Sequence, residues 1–487
     1  MTEIIQLLMV ENTVNRSKAQ QLKFLIRVMN LDYHKQVDVV WRGTDSAWQK
    51  LAARYQAQAD DNQEIWQAQT VLPGKSGLNK QRSIQFALRL ISRGQEYWDN
   101  NLGRNYASLM NSGIQLAEPL PLQNLSFNHR RLDAEQAVTI RVALNPLFPA
   151  HRLVIHWTID DWRHIHQTSC RPGKPHRQTQ TRICTAHLKI GDAYRLQYAI
   201  CYETQTGQIW DNNGGKNYVL SREPLKVLVL NLHCYQEEQQ DRKFSKIAKA
   251  INELDADVVC LQEVAEHWNH GHGDWPSNSA HIIQQRLKRD FHLYSDWSHL
   301  GFDKYREGVA ILSRFPLLHR QSRYVSENCD IYSIHSRKVV MAQIHAPYIG
   351  PINIFSAHLS WWEDGFQQQF QDLSHWADSL ADSAVATLLC GDFNITAGTT
   401  GYQLVVNSQK YDDQYLAANA QGLFDKIFRV NDPHWRDYPA DDYRIDYIFM
   451  NRDGGLRVTS ARTLFTESDY GRVSDHCGYL MSFEPKI

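Results

Sequence analysis

Residues 387–394 read Thr387-Leu388-Leu389-Cys390-Gly391-Asp392-Phe393-Asn394. A short, continuous apolar run marks a strand buried on both faces, and this one ends in a glycine, a carboxylate and an amide. The pattern recurs on either side of it. The run at 227–230 ends at Asn231, that at 258–261 at Gln262-Glu263, and that at 352–357 at His358-Leu359. Asp446 stands inside Arg444-Ile445-Asp446-Tyr447-Ile448-Phe449, and Ser474-Asp475-His476 follows later. Between the first two runs, Phe244, Ile247, Ile251 and Leu254 recur at helical spacing and predict a helix over 241–254. Buried strands alternating with an amphipathic helix predict a layered α/β fold. Such folds gather their sites at strand ends, where these polar residues stand.

The ordered set resembles the endonuclease/exonuclease/phosphatase superfamily. That group includes pancreatic deoxyribonuclease, base-excision endonucleases, inositol-polyphosphate phosphatases, sphingomyelinases and deadenylases. The resemblance spans about Leu225 to Phe483. It rests on Asn231, Leu261-Gln262-Glu263, the Gly-Val-Ala-Ile-Leu-Ser-Arg of 308–314, His358-Leu359, and the segments 391–394, 444–449 and 474–476. It implies a four-layer α/β sandwich and a divalent-metal-dependent phosphoester hydrolase. The residue types suit that chemistry, because an anionic ester needs a hard cation and hard cations take oxygen ligands. By resemblance, Glu263 with Asn231 and Asp475 holds Mg²⁺ or Mn²⁺. Asp392 orients the attacking water and takes its proton, with Asn394 holding the water or a phosphoryl oxygen. Asp446 orients His476 and favours its charged form, and His476 and His358 bind the phosphoryl oxygens.

The front half repeats itself. Residues 94–106 read GQEYWDNNLGRNY and residues 207–218 read GQIWDNNGGKNY. Upstream, Ile26-Arg27-Val28 precedes Trp41 and Trp48, as Ile140-Arg141-Val142 precedes Trp157 and Trp162. Alternating runs at 37–41, 84–90, 153–158 and 194–202 read as strands, and Asp-Asn-Asn before glycine is turn chemistry. The expectation is two all-β sandwich domains over 12–116 and 134–222, joined by a connector at 117–136. A second connector at 221–224 leads to the hydrolase domain over 225–487. The repeated segment resembles the modules that target animal protein phosphatases and fungal glucoamylases to glycogen and starch. Those modules also carry a Trp after a turn, matched at 158–162, whereas the first copy reads Gly43-Thr44-Asp45-Ser46-Ala47-Trp48. Sugar rings stack on aromatic faces and their hydroxyls pair with amides. The carbohydrate-binding candidates are therefore Trp48, Trp98, Asn101, Asn105, Trp162, Trp210, Asn213 and Asn217, with core packing as the alternative for each tryptophan.

Across 487 residues, 52 basic and 53 acidic side chains leave a net charge of -1. This argues against a chain that coats nucleic acid, so a nuclease is the less favoured alternative and nucleic acid the less favoured partner. A non-catalytic glucan-binding scaffold is a third reading, and the intact carboxylates and histidines weigh against it. The first ten residues do not read as a secretory signal. No stretch approaches the ~20 apolar residues of a membrane span. The eight cysteines fall in no disulfide or metal spacing, so a cytoplasmic protein is expected. Glu266-His267-Trp268-Asn269-His270-Gly271-His272 reads as a polar loop at the rim of the site. Trp361-Trp362 reads either as a stacking surface or as core.

Overall fold

Apolar runs with both faces covered become the central strands of two stacked sheets. The computed structural model describes residues 4–43, 46–60, 62–72, 83–132, 134, 136–148, 152–204, 207–420 and 444–487. The turn residues Thr44 and Asp45 lie outside them. The chain divides into two compact units, Met1–Glu223 and Pro224–Ile487.

The back unit holds two six-stranded mixed sheets. One runs in the order His292–Gly301, Tyr305–Ser313, Val258–His267, Leu225–Asn231, Gly478–Pro485, Leu456–Leu464. The other runs Leu318–Tyr324, Lys338–Ala346, Gly350–His358, Ala386–Asp392, Asp446–Asn451, Tyr411–Asp413. Strand periodicity sorts the apolar residues into layers. Val227 and Val229 face a core shared with Ile352, Ile354, Leu388 and Ile448 of the other sheet. Leu228 and Leu230 face outward, onto Phe244, Ile247 and Ile251 of the helix Gln240–Leu254. On the far side, the helix Phe366–Asp378 packs Phe366, Phe370 and Leu373 against Phe355, Leu389 and Phe449. The result is a four-layer α/β sandwich.

Register places the polar residues at one end. Asn231 pairs with Gln262 in one sheet. In the other, His358 pairs with Asp392, and Asp392 with Asp446. Gly391 is needed for this, since at φ +144° a Cβ there would lie 1.9 Å from the Ala357 carbonyl oxygen. The strand expected to stop at Glu263 continues to His267 through an irregularity between Leu261 and Val264, with Glu263 at φ +48°. A bulge re-aims a side chain without ending the pairing.

The front unit contains two antiparallel sandwiches of like design. In the first, strands Ile5–Val14, Gln20–Met29 and Gln63–Leu72 face Lys35–Gly43 and Ile84–Ser92. Phe24 meets Phe86 edge-on at 4.9 Å between them. In the second, Ala137–Leu144 and Arg182–Lys189 face Arg152–Thr158 and Arg195–Thr204. The first sandwich thus begins upstream of residue 12. The segment expected as a mere connector supplies the strand Leu122–Asn124 to the second one. Its short run gave too little alternation to be read as a strand. Among the described residues, no helix is long and apolar enough to cross a membrane.

Candidate active site and candidate sugar-binding turns

Asp392 stands at the centre of the strand-end cluster, almost fully buried. Its Oδ2 accepts from Asn231 Nδ2 at 3.0 Å, and its Oδ1 accepts from the Asn394 backbone N–H at 2.9 Å. Two imidazoles flank it. Nε2 of His358 and Nε2 of His476 each lie 3.7 Å from Asp392 Oδ2. Burial, with Asp446 nearby, pushes the Asp392 carboxyl up to about 7.

The two histidines are electrostatically unlike. His476 Nδ1 pairs with Asp446 Oδ2 at 2.7 Å. Burial works against its charge, but Asp446, Asp392 and Asp475 outweigh it and hold the imidazolium well above its ordinary pKa. His358 goes the other way. Burial, and then the Arg337 guanidinium, hold it well below. Asn394 donates Nδ2 to the Leu359 carbonyl at 2.8 Å, which fixes the amide beside His358.

Glu263 and Asp475 bring carboxylate oxygen to the same end. Burial, then Glu307, push Glu263 up to about 7, and Asp475 adds to this. Carboxylates that repel one another at one strand end are a fitting donor set for a hard cation, whose charge would relieve the repulsion. Asn231 sits against the carboxylates of both Glu263 and Asp392. Its Nδ2 donates to Glu263 Oε1 at 2.9 Å as well as to Asp392, and its oxygen accepts from the His233 backbone N–H. Between two carboxylates, the amide turns its donor toward both and spaces them.

Four residues that the sequence reading passed over also belong here. Arg337 reaches His358 Nδ1 at 3.2 Å and Ser360 Oγ at 3.3 Å. His233 lies 2.8 Å from Glu237 and 3.6 Å from Asp475, and the ligand atoms of these three fall within 4.8 Å of one another. Glu307 pairs with His299 at 3.3 Å. None of the four ends an apolar run, the signal that marked the others. The histidines of 267–272 form no shared ligand group among the described residues. His267 stacks on Tyr235, and His270 and His272 are exposed. Trp362 packs on Phe366 and the helix-side core.

The repeated turns share an internal bond that explains part of their sequence. Tyr106 donates its hydroxyl to Asp99, and Tyr218 to Asp211, each at 2.8 Å. Asn101 and Asn213 donate Nδ2 to the carbonyls of Asn105 and Asn217. These amide nitrogens each use one N–H to hold the turn, which leaves their second N–H and their oxygens for the expected sugar contacts. Asn105 and Asn217 adopt left-handed φ of 57° and 58°. Trp48, Trp98 and Trp210 are exposed at 42%, 47% and 46%. Trp162 is half-buried and anchored, with Nε1 donating to Gln197 at 2.6 Å.

The description "Endonuclease/Exonuclease/phosphatase family" matches residues 228–476. "Carbohydrate/starch-binding module (family 21)" matches twice, at 4–108 and 120–221. The back half is 32% identical over 266 residues to the uncharacterized protein YbhP of Escherichia coli (strain K12), covering 52% of this chain and 92% of that one. The front half is 27% identical over 159 residues to protein phosphatase 1 regulatory subunit 3B of Rattus norvegicus, covering 31% of this chain and 48% of that one. It is 36% identical over 91 residues to glycogen-binding subunit 76A of Drosophila melanogaster, covering 18% and 13%. A solved family protein from Leptotrichia buccalis C-1013-b is 28% identical with a TM-score of 0.48, covering 53% of this chain and 99% of that one. The chain belongs to the endonuclease/exonuclease/phosphatase family, preceded by two family 21 carbohydrate-binding modules.

Proposed function

We propose that this family member is a divalent-metal-dependent phosphoester hydrolase, a phosphatase or phosphodiesterase, held on an α-glucan such as glycogen by its paired modules. The observation that carries the reading is Asp392 set between two imidazoles of opposite electrostatic character. A base is held next to one cationic and one neutral donor, the set needed to deprotonate water and to receive phosphoryl oxygens.

Glu263 and Asp475 would hold Mg²⁺ or Mn²⁺, with Asn231 spacing the carboxylates. The bound cation would neutralise the ester and its developing charge. Asp392 in its ionised form accepts the proton of the attacking water. Asp446 fixes the His476 ring through Nδ1, which turns Nε2–H toward the Asp392 side of the site, to donate to a phosphoryl oxygen. Arg337 can only donate, so a neutral His358 that accepts from it at Nδ1 would carry its proton on Nε2, beside the Asn394 amide 3.3 Å away. His358 thus offers a neutral hydrogen bond on the other side.

The names of two front-half relatives, a glycogen-binding subunit and a phosphatase regulatory subunit, support glycogen as the anchor. A phosphate ester on the glucan itself is then the substrate brought to the enzyme at the highest local concentration. The test is one enzyme preparation assayed with and without Mg²⁺ on phosphorylated glucan, inositol phosphates, sphingomyelin and DNA. Metal-dependent release of phosphate from the glucan is expected. DNA cleavage alone would replace this reading with a nuclease.

A further inference from the structure

The two copies of the Trp-Asp-Asn-Asn turn are alike in sequence but not in surroundings. In the first copy, the Arg89 guanidinium lies 5.9 Å from the Trp98 ring and is itself neutralised by Asp38 and Glu96. In the second, the turn forms one wall of a cleft of about 730 Å³ within the front unit. Trp210 and Asn217 stand on that wall. The opposite wall comes from the first module and includes Arg27 on the strand Gln20–Met29. His129 and Arg130, from the segment joining the modules, also line the cleft, as does Lys216.

The charge in this cleft is one-sided. Asp211 is its single carboxylate, and that group already accepts from the Tyr218 hydroxyl. Burial raises the Asp211 carboxyl, and Arg27 lies close enough to oppose this only weakly, while the buried Nε of Arg27 has no hydrogen-bond partner. Among the described residues neither Arg27 nor Arg130 forms an ion pair. A neutral sugar is served by an aromatic face and an amide. It does not call for two arginines and a lysine, whereas guanidinium groups are well matched to phosphate.

We propose that this cleft binds an α-glucan segment bearing a phosphate monoester, with a sugar face on Trp210, hydroxyls toward Asn217 and the phosphate on the arginines. The proposal rests on the glucan-binding reading above and adds to it a preference for the phosphorylated polymer. It also makes the two modules unequal, since the arginine at the first copy's Trp98 is paired with Asp38 and Glu96.

Calorimetry on the full chain tests this, with EDTA present so that the ligand is not consumed. The probes are a linear maltooligosaccharide, the same oligosaccharide carrying a phosphate monoester, and inorganic phosphate. The phosphorylated oligosaccharide should bind roughly tenfold more tightly or better, and the advantage should shrink at high salt. Arg27→Gln should bring the ratio toward one while leaving neutral binding in place. Arg130→Gln should do the same, at an exposed position where folding is not at stake. Equal affinity for the two oligosaccharides overturns the proposal. So does inorganic phosphate binding as tightly as the phosphorylated sugar, which would mean an anion site with no glucan in it. If neither oligosaccharide binds and the chain also fails to co-sediment with glycogen, the glucan reading itself has failed. Glycogen binding with no phosphate preference leaves that reading standing and overturns only this one.

Discussion

Arg337 Nη1 donates to His358 Nδ1 across 3.2 Å, and the same guanidinium donates through Nε to Ser360 Oγ. A cation thus sits against a histidine that burial holds neutral and whose other nitrogen faces the carboxylate of Asp392. The relationship is one of position and charge together. It holds the ring in place and discourages its protonation.

Arg337→Met should therefore act through His358. Removing the positive charge makes the imidazolium easier to form, so the His358 pKa should rise, though burial, the larger cause, remains. The ring also loses its orienting partner, and kcat should fall by roughly 10²-fold with KM little changed. The ring-proton chemical shift of His358 followed against pH measures the first effect and steady-state kinetics the second. An unmoved titration would show that Arg337 serves only the fold.

Glu263→Gln should abolish activity and leave the fold intact. The substitution keeps the shape and the contact with Asn231 but removes the negative charge a hard cation needs. EDTA should likewise silence the wild type, with recovery on adding Mg²⁺ or Mn²⁺. Circular dichroism alongside the assay separates lost chemistry from lost structure. Activity that survives EDTA would end the metal assignment.

Asp446 and His476 should behave as one unit. Their 2.7 Å bond means that Asp446→Asn deprives the ring of both its orientation and its charge. Each single change should cost roughly 10²–10⁴-fold in kcat/KM, and the double variant little more than the worse single one. Multiplying losses would show two independent contributions.

A neighbouring residue of the same motif should matter for stability instead. Arg444 makes a bidentate pair with Asp413 at 2.9 and 2.6 Å, both side chains almost wholly buried. Its guanidinium lies 4.5 and 4.6 Å from the rings of Tyr415 and Tyr447. Asp413→Ala would strand a buried cation, at a cost of about 3–5 kcal/mol. Urea unfolding of the back unit should report that loss, and kcat measured below the transition should stay near wild type.

In the modules, exposure decides which tryptophans are platforms. Trp48→Ala, Trp98→Ala and Trp210→Ala should weaken co-sedimentation with glycogen and leave melting nearly unchanged, because these rings are 42–47% exposed. Trp162→Ala should also lower the melting temperature, since its ring is half-buried and bonded to Gln197. The reverse pattern would make Trp162 the platform and the other rings packing.

Much of the catalytic end of the back unit was legible because several of its polar residues close apolar runs. Strands covered on both faces must be apolar along their whole length, so Asn231, His358 and Asp392 stand out in one dimension. The repeated Trp-Asp-Asn-Asn segment was legible for a similar reason, since turn chemistry and its Asp–Tyr bond are local. What the linear order could not express was anything made by pairing distant segments. Arg337 reaches His358 because two strands lie side by side, and nothing near position 337 signals it. Asn231 closes its strand, but only the fold shows that its amide lies between Glu263 and Asp392. Trp48 and Trp162 hold matching places in the repeat, yet one ring is exposed and the other is anchored. The cationic wall opposite Trp210 comes from a strand near the start of the chain. Residue type and local spacing determine which chemistry a side chain can do. Which partner it meets, and how dry the meeting place is, depends on long-range packing, and only the tertiary structure decides that.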